Sequence, residues 1–146
     1  MVIIKIDTSE IDKFVIYLKD TSENIRSDVQ KVLKKSGFNI EAKAKINITN
    51  NGSVKTGHLR RGITTDVGNM EVTVHTSNIK YARGVEEGTR PHIIKAKNKK
   101  ALYWKGVKHP VKSVRHPGSK AKPFLIPAFE KEKEVLIKDL EKVIKW

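Results

Sequence analysis

Residues 81–92, YARGVEEGTRPH, divide the chain into two parts of different electrostatic character. Before them acids and bases are mixed. From Gly88 to Phe129 there is no Asp or Glu, while Arg90, Lys95, Lys97, Lys99, Lys100, Lys105, Lys108, Lys112, Arg115, Lys120 and Lys122 supply eleven positive charges. The formal net charge of the chain is +14, so this segment leaves only +3 for everything else. Within 81–92, Tyr81, Ala82 and Val85 form an apolar side, and Gly88 and Pro91 punctuate the exit. Glu86 and Glu87 are adjacent and therefore diverge on either a helix or a strand, so they cannot share a substrate as paired catalytic carboxylates do. Salt bridges to Arg60, Arg61, Arg83 or Arg90 are the role their surroundings predict.

Moving toward the C-terminus, His92-Ile93-Ile94 starts a strand-like run, and KAKNKK (95–100) reads as an exposed loop because four lysines in six residues repel one another and bury poorly. Ala101 to Trp104 is a short apolar run. From 106 to 122, Pro110, Pro117, Gly118 and Ser119 predict irregular structure with at most one edge strand. The segment 95–122 is thus expected to be a mobile basic loop. A final helix follows, with Pro127 in its first turn and Phe129, Leu136, Leu140 and Val143 on one face, widened by Val135, Ile137 and Ile144. No Ser, Thr or Asp caps its start, so KPFLIP is expected to be held by burial of Phe124 and Leu125.

Moving toward the N-terminus, Ile63, Thr65 and Val67 alternate with polar neighbours, Gly68-Asn69 supplies a two-residue turn, and Met70, Val72 and Val74 alternate on the return strand. Thr49 to Ser53 ends a preceding helix. That helix carries Ile25, Val29, Val32, Leu33, Ile40 and Ala44 on one stripe, and Gly37 in its middle predicts close packing or a bend. Thr21 recaps it after a first helix with Asp7 as N-cap, Glu10 as capping-box partner and Ile11, Phe14, Val15 and Leu18 on one face. Val2, Ile4 and Ile6 alternate ahead of it as a short strand. The fold class read from this pattern is α+β. It is a single domain spanning 1–146, with one antiparallel sheet, built from the 61–75 hairpin and the strands around 92–115, packed against long N-terminal helices and a C-terminal helix.

A chain of 146 residues with 38% hydrophobic content suits one core. Cysteine is absent, which removes disulfides and thiolate metal sites. MVIIKID is too short for a signal peptide, and no apolar run approaches the ~20 residues that span a bilayer, so synthesis in the cytoplasm and no membrane partner are expected. His58, His75, His92, His109 and His116 show no metal-binding spacing, so neither metal nor cofactor is expected. His92, His109 and His116 among lysines form a weak candidate for a metal-free ribonuclease site. The basic segment fits phosphate backbones, with Tyr103 and Trp104 able to stack, and equally an acidic neighbouring subunit. Composition does not choose between them.

Four motifs in order resemble the gene-ten-like tail-component proteins of long-tailed bacteriophages. They are the opening VIIKIDTSEIDKF; TGxLRxxI at Thr56, Gly57, Leu59, Arg60 and Ile63; YAxxVExGT at Tyr81, Ala82, Val85, Glu86, Gly88 and Thr89; and PFLxPA at Pro123, Phe124, Leu125, Pro127 and Ala128. The resemblance implies a non-enzymatic structural protein of the head–tail neck of a phage or prophage virion. Its implied partners are other copies in a ring, neighbouring head-completion and tail proteins, and packaged DNA through the basic loop. Here the loop from Lys95 to Lys122 is unusually basic and long, and Gly-Ser-Val-Lys precedes TGHLRR. On this reading Thr56, Leu59, Arg60, Arg61, Arg83, Glu86, Glu87 and Arg90 are candidates for the subunit interface. Lys95, Lys97, Lys99, Lys100, Lys105, Lys108, Lys112 and Arg115 are candidates for contact with DNA or an acidic neighbour, with Lys95–Lys100 ordering on assembly. A free-standing nucleic-acid-binding domain is the main alternative.

Overall fold

The computed structural model describes residues 3–5, 23–97 and 100–144. The helix expected after Asp7, the recap at Thr21, Lys99 in the basic loop and Lys145 at the end of the last helix lie outside them.

A helix α1, Glu23–Asn50, is the spine of the molecule. At 1.5 Å per residue its 28 residues span ~42 Å. Val29, Leu33, Ser36, Ile40, Ala44 and Ile48 recur every three or four residues and are buried, which is the predicted stripe extended by one turn. Gly37 lies where the sheet crosses the helix. A Cβ there would collide with Cγ1 of Val72 and stand 3.0 Å from Cγ2 of Thr65. The sheet is further tied to this point by the Thr65 hydroxyl, which donates to Glu41 Oε2 (2.6 Å) and to the Gly37 carbonyl (3.3 Å). Burial opposes ionisation of Glu41, but the hydrogen bonds from Lys45 and Thr65 outweigh it and hold the carboxyl below its ordinary range.

The sheet has three antiparallel strands in the order β1-β3-β2: β1 Ile3–Lys5, β2 Ile63–Val67 and β3 Val72–Thr76. Central β3 buries Val72, Val74 and Thr76 on one face. The hairpin is present, but its turn is centred on Asn69 and Met70, with Met70 at φ 58° and the Gly68 N–H donating to the Glu71 carbonyl. Gly68 therefore stays in the ladder, and Val67 pairs with Val72 instead of Met70. The displacement is two residues, so the faces keep their parity and the same valines reach the core.

Two short helices follow in the chain, α2, His58–Arg61, and α3, Ala82–Glu86, and the last helix, α4, Leu125–Ile144, packs beside α1. It runs antiparallel to α1. Asn47 Nδ2 donates to the Phe124 carbonyl (2.9 Å), Asn39 Nδ2 to Glu132 Oε1 (2.9 Å) and Lys35 Nζ to Asp139 Oδ2 (2.8 Å), so α1 positions fall as α4 positions rise. Phe124 and Leu125 are fully buried, as expected for KPFLIP. The apolar stripe of α4 is narrower than predicted. Leu125, Ala128 and Leu136 are buried, with Phe129, Leu140 and Val143 packed beside them, whereas Val135 and Ile137 face outward at 40% and 47% exposure. Against one main neighbouring helix, residues flanking Leu136 by one position turn too far round to be covered.

The strands around 92–115 do not join this sheet, a correction to the single sheet expected. Among the described residues β4, His92–Lys95, pairs with β5 alone, Ser113–His116, as a separate antiparallel ribbon. All four residues of β4 are exposed, so it has no buried face to lay on the core.

Candidate subunit interface and basic ribbon

Two loops and a short helix build the interface candidate. Gly57, at φ 72°, reverses the chain into α2, and Leu59 plugs into the core as its anchor. Arg60 and Arg61 are left exposed. In α3, Ala82 is fully buried and Val85 half-buried, while Arg83 Nε pairs with Glu87 Oε2 at 2.8 Å on the surface.

Glu86 has a different task from its neighbour. It is 3% exposed, and its carboxylate accepts from the backbone N–H groups of Phe124 (2.9 Å), Leu125 (3.1 Å) and Ile126 (2.9 Å). These are N–H groups at the start of α4 that have no partner within the helix, and the negative charge sits at the positive end of its dipole. The cap missing from the sequence before α4 is thus supplied from α3, 38 residues earlier. Leu59 and Glu86 are consequently spent inside the subunit, which corrects their assignment to an interface; the ion pair predicted for Glu86 is replaced by these amides. A helix start with no local cap, and a glutamate next to the apolar Val85 in YARGVEEGT, are the signals that the sequence offers.

Above these anchors lies a cleft of about 540 Å³, walled on one side by Val54, Lys55, Thr56 and Arg60 and on the other by Tyr81, Val85, Ser119, Lys120 and Lys122. A second hollow, about 950 Å³, takes in Arg83, Glu87, Thr89 and Arg90 and shares Tyr81, Gly84, Val85 and Ser119 with the first. Arg61 lies with Arg60 and Lys45 around a shallower depression. The structure therefore gathers Thr56, Arg60, Arg61, Arg83, Glu87 and Arg90 on one region, from segments some thirty residues apart in sequence.

The basic segment leaves and returns at one point. Thr89 and Ser119 exchange backbone hydrogen bonds (2.9 and 3.0 Å), and the Lys122 N–H donates to the Val85 carbonyl (2.8 Å). Gly88 (φ 75°) and Gly118 (φ 89°) interlock here: a Cβ on Gly88 would meet the Ser119 carbonyl oxygen at 2.6 Å, and one on Gly118 would collide with the Thr89 oxygen. Beyond this clasp, β4 and β5 and then a Leu102–Val111 bridge make an outward ribbon where a loop was expected. Lys95, Lys97, Lys100, Lys105, Lys108, Lys112 and Arg115 are exposed along it, and Tyr103 and Trp104 are exposed near its end. Lys120 and Lys122 belong instead to the cleft.

His92 and His116 face each other across the ribbon, ring centroids 5.1 Å apart. Their Nδ1 atoms are engaged by backbone, His92 with the Arg90 carbonyl and His116 accepting from the Gly118 N–H. His109 lies in the distal turn, so the three histidines do not converge. Among the described residues no group of side chains is placed to hold a metal, and no helix is long and apolar enough to cross a membrane.

A family model described as "Bacteriophage HK97-gp10, putative tail-component" matches residues 12–88, more than half of the chain. The chain belongs to this family. No curated protein and no solved structure matches it. The HK97-gp10-like match carries both cleft-forming motifs, TGHLRR and YARGVEEG, and ends at Gly88, where the ribbon begins. As a member of this tail-component family, the protein is a structural component of a phage particle.

Proposed function

We propose that the protein is a neck or tail-completion subunit of a tailed phage or prophage, assembling as a ring between head and tail and acting without catalysis. The observation that carries this reading is the convergence of TGHLRR, α3 and 119–122 on one charged, hollowed region, with Arg60, Arg61 and Arg90 exposed and suited to bidentate contact with carboxylates of a neighbour. The ribbon then extends positive charge outward, toward DNA in the passage or an acidic adjacent ring. Purified particles, separated into heads and tails, test it. The chain should be found in particles at a few to a dozen copies; its confinement to the soluble lysate would reject the reading.

The exposed Tyr103 and Trp104 among lysines with no intervening acid favour DNA as what the ribbon meets. Binding of the purified chain to duplex or single-stranded DNA should then fall steeply with salt, as phosphate contacts require. Replacing Lys105, Lys108 and Lys112 by Gln should flatten that dependence, and an unchanged slope would assign the ribbon to a protein neighbour.

A further inference from the structure

The cleft above Leu59 and Glu86 carries three kinds of unspent group. Lys55, Arg60, Lys120 and Lys122 line it and are exposed; no Asp or Glu lines it, and none of the four cations has an ion-pair partner among the described residues. The backbone N–H groups of Val54, Lys55 and Thr56 on one wall and of Lys120 on the other have no acceptor among the described residues. Ser53 lines the cleft too, and among the described residues its buried hydroxyl has no hydrogen-bond partner. Between these polar groups, Val54 and Tyr81, 40% and 50% exposed, and half-buried Val85 leave apolar surface open to solvent.

Each group narrows the occupant. Uncompensated cations around the cleft call for carboxylates or phosphates. An apolar floor calls for a side chain that leaves water on binding. Residues 53–57 and 120–123 are neither helix nor strand, so their spare N–H groups suit the carbonyls of an extended main chain, which a helix would keep for itself. A DNA duplex is too large, since about 540 Å³ is the volume of a small-molecule site. A single strand would want aromatic platforms, and here the floor offers two valines and one tyrosine, whereas Tyr103 and Trp104 stand exposed on the ribbon.

We infer that the cleft binds an extended acidic peptide segment of a neighbouring virion protein, with one apolar side chain seated on Val54, Tyr81 and Val85 and flanking carboxylates held by Lys55, Arg60, Lys120 and Lys122. The origin of the segment rests on the neck reading above; the chemistry of the cleft does not. The anchor supplies affinity, and the carboxylates steer the encounter and discriminate against basic segments such as the ribbon of another copy.

The probe is a fluorescent hexapeptide, Asp-Glu-Leu-Phe-Glu-Asp with blocked ends, titrated with the full-length protein at physiological salt beside a control in which Gly-Ser replaces Leu-Phe. The anchored peptide should bind saturably at one per chain and at least tenfold more tightly than the control. Val54→Ser with Tyr81→Ala, and separately Lys55→Glu with Lys120→Glu, should each weaken it at least tenfold. Lys105→Glu with Lys108→Glu makes the same change of charge on the ribbon and should alter affinity less than twofold. All six side chains are exposed, and unchanged thermal midpoints confirm folding; Tyr81→Ala and Lys120→Glu alone serve where a pair lowers the midpoint. No binding, equal binding of the two peptides, or equal loss from ribbon and cleft variants overturns the inference. Displacement of the peptide by single-stranded oligothymidylate with the same dependence on Val54 and Tyr81 would also overturn it, giving the cleft to nucleic acid. Particle location is scored separately: a particle-bound chain whose cleft ignores the peptide sinks only the docking, and peptide binding by a chain absent from particles sinks only the neck assignment.

Discussion

The Glu86 carboxylate lies 2.9 Å from the backbone N–H of Phe124 and joins the short helix α3 to the start of α4. Both sides of this link are buried. Truncation would leave amides in a dry site with neither protein nor water to satisfy them, a penalty of about 1–3 kcal/mol. Glu86→Ala should lower unfolding free energy by about 2 kcal/mol in a denaturant titration, with Glu86→Gln intermediate because one oxygen and the shape remain. A neutral Ala variant would mean that burial of Phe124 and Leu125 alone fixes the helix start.

Gly37 sets two effects against each other. Alanine favours a helix interior by about 1 kcal/mol over glycine. Its methyl group, however, would occupy the place of Val72 Cγ1, and overpacking of this kind costs typically 1–3 kcal/mol. Gly37→Ala should therefore be net destabilising. An increase in melting temperature would show that the sheet can shift away from α1 at little cost.

The clasp at the ribbon base makes a contrasting pair of glycines. Gly88→Ala meets backbone at positive φ, whereas Gly52→Ala at φ 69° meets open space. Gly52→Ala should cost about 1 kcal/mol from backbone strain alone, and Gly88→Ala clearly more. Limited proteolysis between 89 and 119 should accelerate only in the Gly88 variant.

Asp139 provides a pH-dependent contribution. Its hydrogen bond from Lys35, joined by one from Lys142, holds the carboxyl below its ordinary range. A carboxyl whose folded pKa lies below the unfolded value adds stability above the unfolded pKa, near ~3.9, and loses it as pH falls through the folded pKa. Asp139→Asn should thus be less stable than the wild type at neutral pH, and the gap should close below about pH 4. A gap independent of pH would assign the effect to packing.

Much of this architecture is legible in local pattern. The stripe of α1, the hairpin, the strand at 92–95 and the burial of Phe124 and Leu125 each follow from periodicity within a dozen residues. What was not legible depends on distant pairing. Glu86 looks like one of two surface acids until Phe124 is brought beside it, and Leu59 looks like part of an arginine motif until the core closes over it. The separation of β4–β5 from the main sheet is likewise set by the Thr89–Ser119 bridge, which joins residues thirty positions apart. The hairpin turn moved because Gly68 serves in the ladder and Met70 takes the left-handed conformation, a choice that glycine preference alone would place elsewhere.

The interlocked glycines at 88 and 118 make the ribbon a modular insert. Its two ends leave the body as hydrogen-bonded neighbours in an antiparallel pair, so their Cα atoms are only about 5.5 Å apart and a two-residue turn suffices to join them. A gene with codons 90–118 replaced by such a turn should encode a body that still folds, and ribbons of other lengths or charge could be grafted at the same seam. Selection can accordingly retune the length and charge of the ribbon without redesigning the scaffold that holds it.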